Sequence, residues 1–272
     1  MFNMKNSNES VSSRGVLLFA FNTDRTDYVE IARRATRLIH HTLELPVTLV
    51  TDKTLTDTVF DSIIYIDNTL KNYKLGEAGG WRNGDRYQAY NLSPYDETLL
   101  IDSDYLQLDR NLLKLFDQLV DYRIMTHNSK PAGLWQLNMG MFGLPYQWAT
   151  TVMFKKTAKS KMLFDLVGRI QRNYYYYIKL YHIREGNFRN DYAFTIANNI
   201  LNGYDLEMTQ GVPWPMLTFA DVTTSIKSNG NLLTVRERER AYAIPKQNIH
   251  VMDKGYLLSD DFLEFVESIC AD

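Results

Sequence analysis

Short apolar runs alternate with helically periodic segments along the first hundred residues. GVLLFAFN, residues 15–22, is a run of buried-strand type. The stretch TDRTDYVEIARRATRLIHHTLEL after it places Val29, Ile31, Ala32, Ala35, Leu38 and Ile39 at helical spacing. PVTLVTD (46–52) and SIIYID (62–67) are again strand-like, each ending in an acid before a turn-like segment, and TLLIDSD (98–104) is a fourth. Strand, helix and strand in that order predict a βαβ start with parallel strands, so the expected fold class is α/β, with a mostly parallel sheet flanked by helices.

In such a sheet, ligands collect at the carboxyl ends of the strands. Asn22, Asp52, Asp67 and Asp102 are all predicted there. Period-two alternation would aim Asp102 and Asp104 to one side. Two carboxylates at a strand end suit a hard divalent cation, which takes oxygen ligands and binds diphosphate at the same time. An isolated D-x-D also serves simply to solvate a turn, so both roles stay open here. Haloacid-dehalogenase-type phosphatases share a strand followed by D-x-D, but theirs opens the chain and continues into Thr or Val. Here Leu106 takes that place, and about a hundred residues come first.

Composition narrows the class. Hydrophobic residues make up 45% and aromatic residues 13% of the 272 residues, which argues against disorder, and no apolar run approaches the roughly 20 residues that span a bilayer. Residues 1–13 are polar and lack the apolar stretch of a secretory signal, so a flexible tail is expected there. The single cysteine, Cys270, excludes an internal disulfide and a cysteine metal cluster, which fits a reducing cytoplasm.

Several segments in order resemble the nucleotide-sugar glycosyltransferases of the GT-A fold, particularly the family-8-like branch. LLFAFNTD looks like the nucleotide-binding opening, WRNGDRYQAY (81–90) like the basic helix ahead of the D-x-D, and LIDSD (100–104) like the D-x-D itself. QLNMGMFGL (136–144) is similar to the N-x-G segment beside the donor sugar. FRNDYAFTIAN (188–198) is similar to the segment whose acid faces that sugar, and IHVMDKG (249–255) to the carboxyl-terminal His that completes a metal shell. The resemblance implies a Rossmann-like GT-A domain over 14–272, with a nucleotide-sugar half (14–128) and an acceptor half carrying the carboxyl-terminal metal ligand (129–272).

It also implies metal-assisted departure of a nucleoside diphosphate from a UDP-sugar. Mn²⁺ or Mg²⁺ would be held by Asp102, Asp104 and His250. Asn22, Asp52, Arg82, Arg86, Asp102, Ser103, Gly140 and Lys254 would contact the donor, with Arg82 or Arg86 and Lys254 adding fixed positive charge. Asp191 would stabilise an oxocarbenium-like sugar and Asn138 would bind its hydroxyls. Read from the local sequence alone, Asp191 could equally cap the helix NDYAFTIANNIL, Asn138 could be a turn residue and His250 an ordinary surface or core histidine. The family ending HxxGxxKPW is HVMDKGYLL here, so the resemblance does not assign stereochemistry.

Charge is uneven along the chain. Between Phe154 and Arg189 nine basic residues face only Asp165 and Glu185, a net of +7 inside a chain of net −2. RNYYYYIKLYHIR sets four consecutive tyrosines and a fifth among these cations. Cations interleaved with aromatic rings suit phosphates and exposed bases; the same pattern also suits an amphipathic helix with Tyr inward and Lys or Arg snorkelling outward. VRERERAYAIPK (235–246) alternates in sign and reads as a solvated face. In general character the chain is similar to tailed-phage glycosyltransferases that decorate hydroxymethylated cytosine. That likeness implies double-stranded DNA as acceptor, arabinosyl or glucosyl transfer, and the host cytoplasm as location; a saccharide, glycolipid or protein acceptor, or a non-catalytic binding role, are the alternatives.

Overall fold

The computed structural model describes residues 13–56, 58–67, 84–134, 138–139, 143–183, 188–205 and 211–271. The tail expected at the amino terminus lies outside them, apart from Ser13. The first apolar run forms β1 (Arg14–Phe19), with Val16, Leu17 and Leu18 fully buried. α1 (Tyr28–Leu43) begins where Asp27 accepts a hydrogen bond from Glu30 N and stops at Glu44, which takes the left-handed conformation. β2 (Val47–Thr51) and β3 (Ser62–Tyr65) follow. A 3-10 turn over Gly84–Gln88 and α2 (Ala89–Leu92) then lead into β4 (Glu97–Ile101) and β5 (Tyr105–Leu106).

β6 (Tyr122–Met125), β7 (Asn128–Lys130), β8 (Gly133–Leu134), β9 (Asn138–Met139) and β10 (Leu144–Pro145) precede the long β11 (Trp148–Lys155). α3 (Ala158–Arg172), α4 (Tyr174–Leu180) and α5 (Asn190–Leu201) come next. The remainder comprises β12 (Met216–Phe219), β13 (Thr223–Asn229), β14 (Leu232–Glu237), β15 (Arg240–Pro245), β16 (Ile249–Val251), α6 (Lys254–Leu257) and α7 (Asp260–Ala271). Among the described residues no helix is long and apolar enough to cross a membrane.

The main sheet has the order β3-β2-β1-β4-β11-β6. Its first four strands are mutually parallel, as expected, and β11 runs antiparallel to both β4 and β6. Every residue of β4 is buried, so its apolar run has a neighbouring strand on each side and packing on each face. Glu97, at its amino end, is held there by Arg14 at 2.6 Å and Lys155 at 2.9 Å. α3 and α5 lie with β11 in the larger core cluster.

A second sheet, β5-β16-β12-β7-β8, returns the carboxyl-terminal segment to the end of β4. β13, β14 and β15 form an antiparallel sheet that packs Ile226, Leu233 and Val235 into the second cluster with α1 and α7. The half-buried VRERERAYAIPK is therefore strand and hairpin: Val235 and Glu237 are buried, and Arg236, Arg238 and Arg240 face water. Arg34 of α1 joins the two ends of the chain. Its guanidinium is nearly buried, pairs with Glu30 at 2.9 Å and donates to the carbonyls of Leu257 and Ser259 at 3.0 and 2.6 Å.

One close approach in β1 makes a stability prediction. A Cβ added at Gly15 would meet three ring atoms of Tyr95 at 2.3–2.5 Å, and the Tyr95 hydroxyl is anchored on Thr48 Oγ1 at 2.8 Å. Gly15→Ala is expected to destabilise the chain by about 1–3 kcal/mol through overpacking. Chemical denaturation measures it, and an unchanged midpoint would mean that the ring swings aside without cost.

Candidate active site

β4 ends at Ile101, and the chain then turns. Asp102 N donates to Thr150 O at 2.9 Å and Tyr105 N donates back to Asp102 O at 3.1 Å. Asp102 and Asp104 thus reach one cavity through this turn, and the period-two alternation expected of a continuing strand is not what aims them. The turn delivers Tyr105 into β5, where it pairs with His250 of β16, and Val251 N donates to Asp104 O at 2.9 Å. That register places His250 beside an acid 146 positions earlier in the chain.

His250 Nε2 lies 3.5 Å from Asp104 Oδ2, and Nδ1 lies 3.2 Å from Thr218 Oγ1. Thr218 donates its own proton to Asn128 Oδ1 at 2.7 Å, so its oxygen is free to accept from Nδ1–H. Nε2 is thus the ring nitrogen turned toward Asp104, the one that an ion held by this carboxylate would meet. Lys254, the first residue of α6, ion-pairs with the same Asp104 Oδ2 and donates to Met252 O at 3.2 Å. Asp253 fixes its backbone by accepting from Tyr256 N at 3.2 Å and Thr223 N at 2.9 Å. Burial opposes ionisation of Asp104, but the adjacent ammonium overrides it and holds the carboxyl well below the usual range. Asp104 Oδ1 is buried and has no hydrogen-bond partner.

Asp102 is held differently. Arg86, from the turn before α2, pairs with Asp102 Oδ1 and donates to Ala149 O at 2.5 Å, with a side chain only 3% exposed. Burial pushes the Asp102 carboxyl above its ordinary range in spite of that guanidinium.

Asp191 occupies the first turn of α5, whose N-cap position is Arg189 and has no side-chain cap. The capping role open to Asp191 from sequence is therefore not the one its side chain takes. Its Oδ1 accepts from Ala149 N at 2.8 Å, and its Oδ2 accepts from the Tyr146 hydroxyl at 2.9 Å and from Arg189 Nη2 at 3.2 Å. Burial, and then the neighbouring negative charge, push the Tyr146 hydroxyl far above its normal range, so it stays a donor.

A cavity of about 300 Å³ gathers Arg86, Asp102, Ser103, Asp104, Asp191, His250 and Lys254. Asn22 and Asp52 lie at the carboxyl ends of β1 and β2 but do not line it. Asn22 instead ties the start of α1, donating to Asp27 at 2.7 Å and accepting from Val29 N at 2.9 Å. Asn138 sits in β9 opposite Pro145, and Arg82 and Gly140 lie outside the described residues. Sequence reasoning passed over Tyr28, Trp148, Phe188 and Arg189, which also line the cavity. Phe188 and Arg189 adjoin Asp191 inside a segment already singled out, and the aromatic pair of YQW leads into β11 two positions before Thr150.

The tyrosine run divides between both of its readings. Tyr174, Tyr177 and Tyr181 are buried, whereas Tyr175 and Tyr176 are 64% and 63% exposed. Tyr174 packs edge-on against Phe188 of the cavity, with ring centroids 5.2 Å apart. Several cations of the basic window serve the protein itself. Lys155 pairs with Glu97, Lys156 donates to Tyr90 O and lies 4.7 Å from its ring centroid, and Arg172 lies over Tyr87 at 6.0 Å.

No family profile matches this chain, and no curated protein matches it. The solved structures it resembles include glycosyltransferases. Among them are GlyE of Streptococcus pneumoniae TIGR4, at 15% identity over 75% of this chain and 46% of that one with a TM-score of 0.42, and mouse xyloside xylosyltransferase 1, at 11% over 68% and 81% with 0.42. The galactosyltransferase LgtC, in complex with donor and acceptor sugar analogues, is 13% identical over 67% and 69% with 0.44. The chain spans less than half the length of GlyE.

Proposed function

We propose that the chain is a glycosyltransferase that uses a UDP-sugar and a divalent cation. The observation that carries this reading is the convergence of Asp102, Asp104, His250, Lys254 and Asp191 on one cavity at the carboxyl end of β4. Among the described residues no group of three or more His, Cys, Asp or Glu side chains stands ready-assembled around an ion position. The donor chemistry nonetheless fits Mn²⁺ or Mg²⁺: Asp104 keeps a buried oxygen without a partner, His250 turns Nε2 toward the same carboxylate, and Asp102 is adjacent. These three residues would hold the ion. When bound, it supplies positive charge to the diphosphate as the glycosidic bond breaks.

The chain's own groups do the rest. Arg86 supplies fixed positive charge, and Lys254 a second positive charge, to the end of the cavity that would take the diphosphate. Asp191, oriented by three hydrogen bonds, supports positive charge on the sugar. The acceptor hydroxyl oxygen bonds to the anomeric carbon, the bond to phosphate breaks with its electron pair on the diphosphate, and the hydroxyl proton leaves to the released diphosphate or solvent.

The acceptor in this reading is 5-hydroxymethylcytosine in double-stranded DNA. Its support is α4, which carries the exposed Tyr175 and Tyr176 and Lys179 in its last turn, adjoins the cavity through the Tyr174–Phe188 contact and follows Arg169 in the last turn of α3. Exposed rings beside cations suit unstacked bases and phosphates, and a base in a duplex must be flipped or read in the major groove to be modified.

Incubation with hydroxymethylcytosine DNA, Mn²⁺ and mixed UDP-sugars, followed by mass spectrometry of the nucleosides, is expected to show a pentose or hexose gain. UDP release without a gain would move the acceptor to a saccharide, glycolipid or protein. No UDP release from any of the sugars would leave a binding protein and overturn the enzymatic reading.

A further inference from the structure

We propose that Lys254 is an exchangeable counter-ion: it neutralises Asp104 in the ion-free protein and passes to the donor diphosphate when a divalent cation takes the carboxylate. The inference rests on the metal-dependent reading above and concerns how that site is loaded.

Two groups converge on one oxygen. Lys254 Nζ and His250 Nε2 both approach Asp104 Oδ2, while Oδ1 is buried and bare. Lys254 is the side chain that ion-pairs with this oxygen, so it stands where a cation bound at Asp104 would have to sit. Leaving a largely buried carboxylate unpaired costs several kcal/mol, so the charge opposite Asp104 can be exchanged but not dispensed with.

Arg86 and Asp191 are locked in place. Arg86 is 3% exposed and bound to both Asp102 and Ala149 O, and Asp191 is fixed from three sides. Lys254 has only Asp104 and the Met252 carbonyl as hydrogen-bond partners, its side chain is 23% exposed, and it stands at the start of a four-residue helix. A compact ammonium on a four-carbon stem can swing where a forked guanidinium held at both ends cannot. A cation arriving alone must therefore break an ion pair, whereas one arriving with a diphosphate gives the displaced ammonium a new partner. Ion and nucleotide should then bind cooperatively, each tightening the other by the same factor.

The test is a Mn²⁺ titration followed by the electron paramagnetic resonance of the free hydrated ion, with and without UDP, on the full chain and on Lys254→Met, Lys254→Gln and Lys254→Arg. Without UDP, the Met and Gln variants are expected to bind Mn²⁺ about tenfold more tightly than the parent, with Arg staying close to it. UDP is expected to tighten Mn²⁺ binding about tenfold in the parent and far less in the two neutral variants. Circular dichroism checks folding, and either neutral variant suffices. If the parent binds Mn²⁺ and neither neutral variant binds it more tightly, the exchange is wrong and the metal-dependent reading stands. If the parent and all variants fail to bind Mn²⁺ even with UDP, the metal-dependent reading falls and the exchange with it.

Discussion

Asp104→Asn is expected to lower sugar transfer by about a thousandfold while the protein remains folded. Several kcal/mol of transition-state charge stabilisation is what a correctly held cation supplies, and each 1.4 kcal/mol is about tenfold in rate. Asp104 is the residue on which the site converges: it faces His250, pairs with Lys254, and holds the one buried carboxylate oxygen of the cavity that lacks a partner. An amide keeps the shape and still accepts from Lys254, but it removes the negative charge that binds a cation. Its backbone role is untouched, since the bond from Val251 N goes to the main-chain carbonyl. Steady-state turnover with Mn²⁺, read beside the thermal midpoint, separates the two effects. Full activity in a folded variant would remove the carboxylate from the mechanism.

Asp191→Ala is expected to reduce kcat by about a hundredfold, with the dissociation constant for UDP changed by less than about threefold. The reasoning is positional. Asp191 lies in the cavity wall with Trp148 and Phe188, and its own partners are Ala149 N, Tyr146 and Arg189, with neither Arg86 nor Lys254 among them. A group that only steadies charge on the sugar should act on the chemical step and leave nucleotide binding nearly alone. Truncation also orphans the buried Ala149 N–H and the Tyr146 hydroxyl, a loss of about 1–3 kcal/mol that a denaturation curve would register. Asp191→Asn keeps one acceptor oxygen for Ala149 N–H and sets an amide NH2 against the Tyr146 hydroxyl, which can accept from it, so it should recover part of that stability and little of the rate. If Ala and Asn variants turn over alike and at the parental rate, Asp191 is a packing residue.

How much of this was legible in the sequence depends on the range of the interaction that decides each feature. Three of the four parallel strands were readable because a strand packed on both faces carries a continuous apolar run, and Val16–Leu18 of β1, Leu49 and Val50 of β2 and Leu99–Ile101 of β4 are all fully buried. The turn after Ile101 was not, since Asp102 N donates to Thr150 O, far along the chain. His250 could be named through a family resemblance, but the reason it meets Asp104 is the pairing of β16 with β5, which no local pattern encodes. Asp191 could be placed at the start of a helix; that its carboxylate turns away from the helix toward Ala149 is a tertiary choice. Lys155 and Lys156 counted as free charge in the sequence and are committed to Glu97 and Tyr90 in the fold. The alternating charges of 235–246 carried the strand period in plain view, with Val235 and Glu237 inward and the arginines between them outward.

The pairing of β5 with β16 also sets an order in time. Asp102, Arg86 and Asp191 can all be in position once the main sheet and α5 exist, but Asp104 acquires His250 and Lys254 only after β16 and α6 have been synthesised and docked, with Arg34 holding the carbonyls that follow. On the ribosome, the nascent chain therefore carries a half-made cavity until β16 and α6 emerge. A chain terminated before β16 would keep Asp102, Asp104 and Asp191 without the His250 and Lys254 that join them in the cavity.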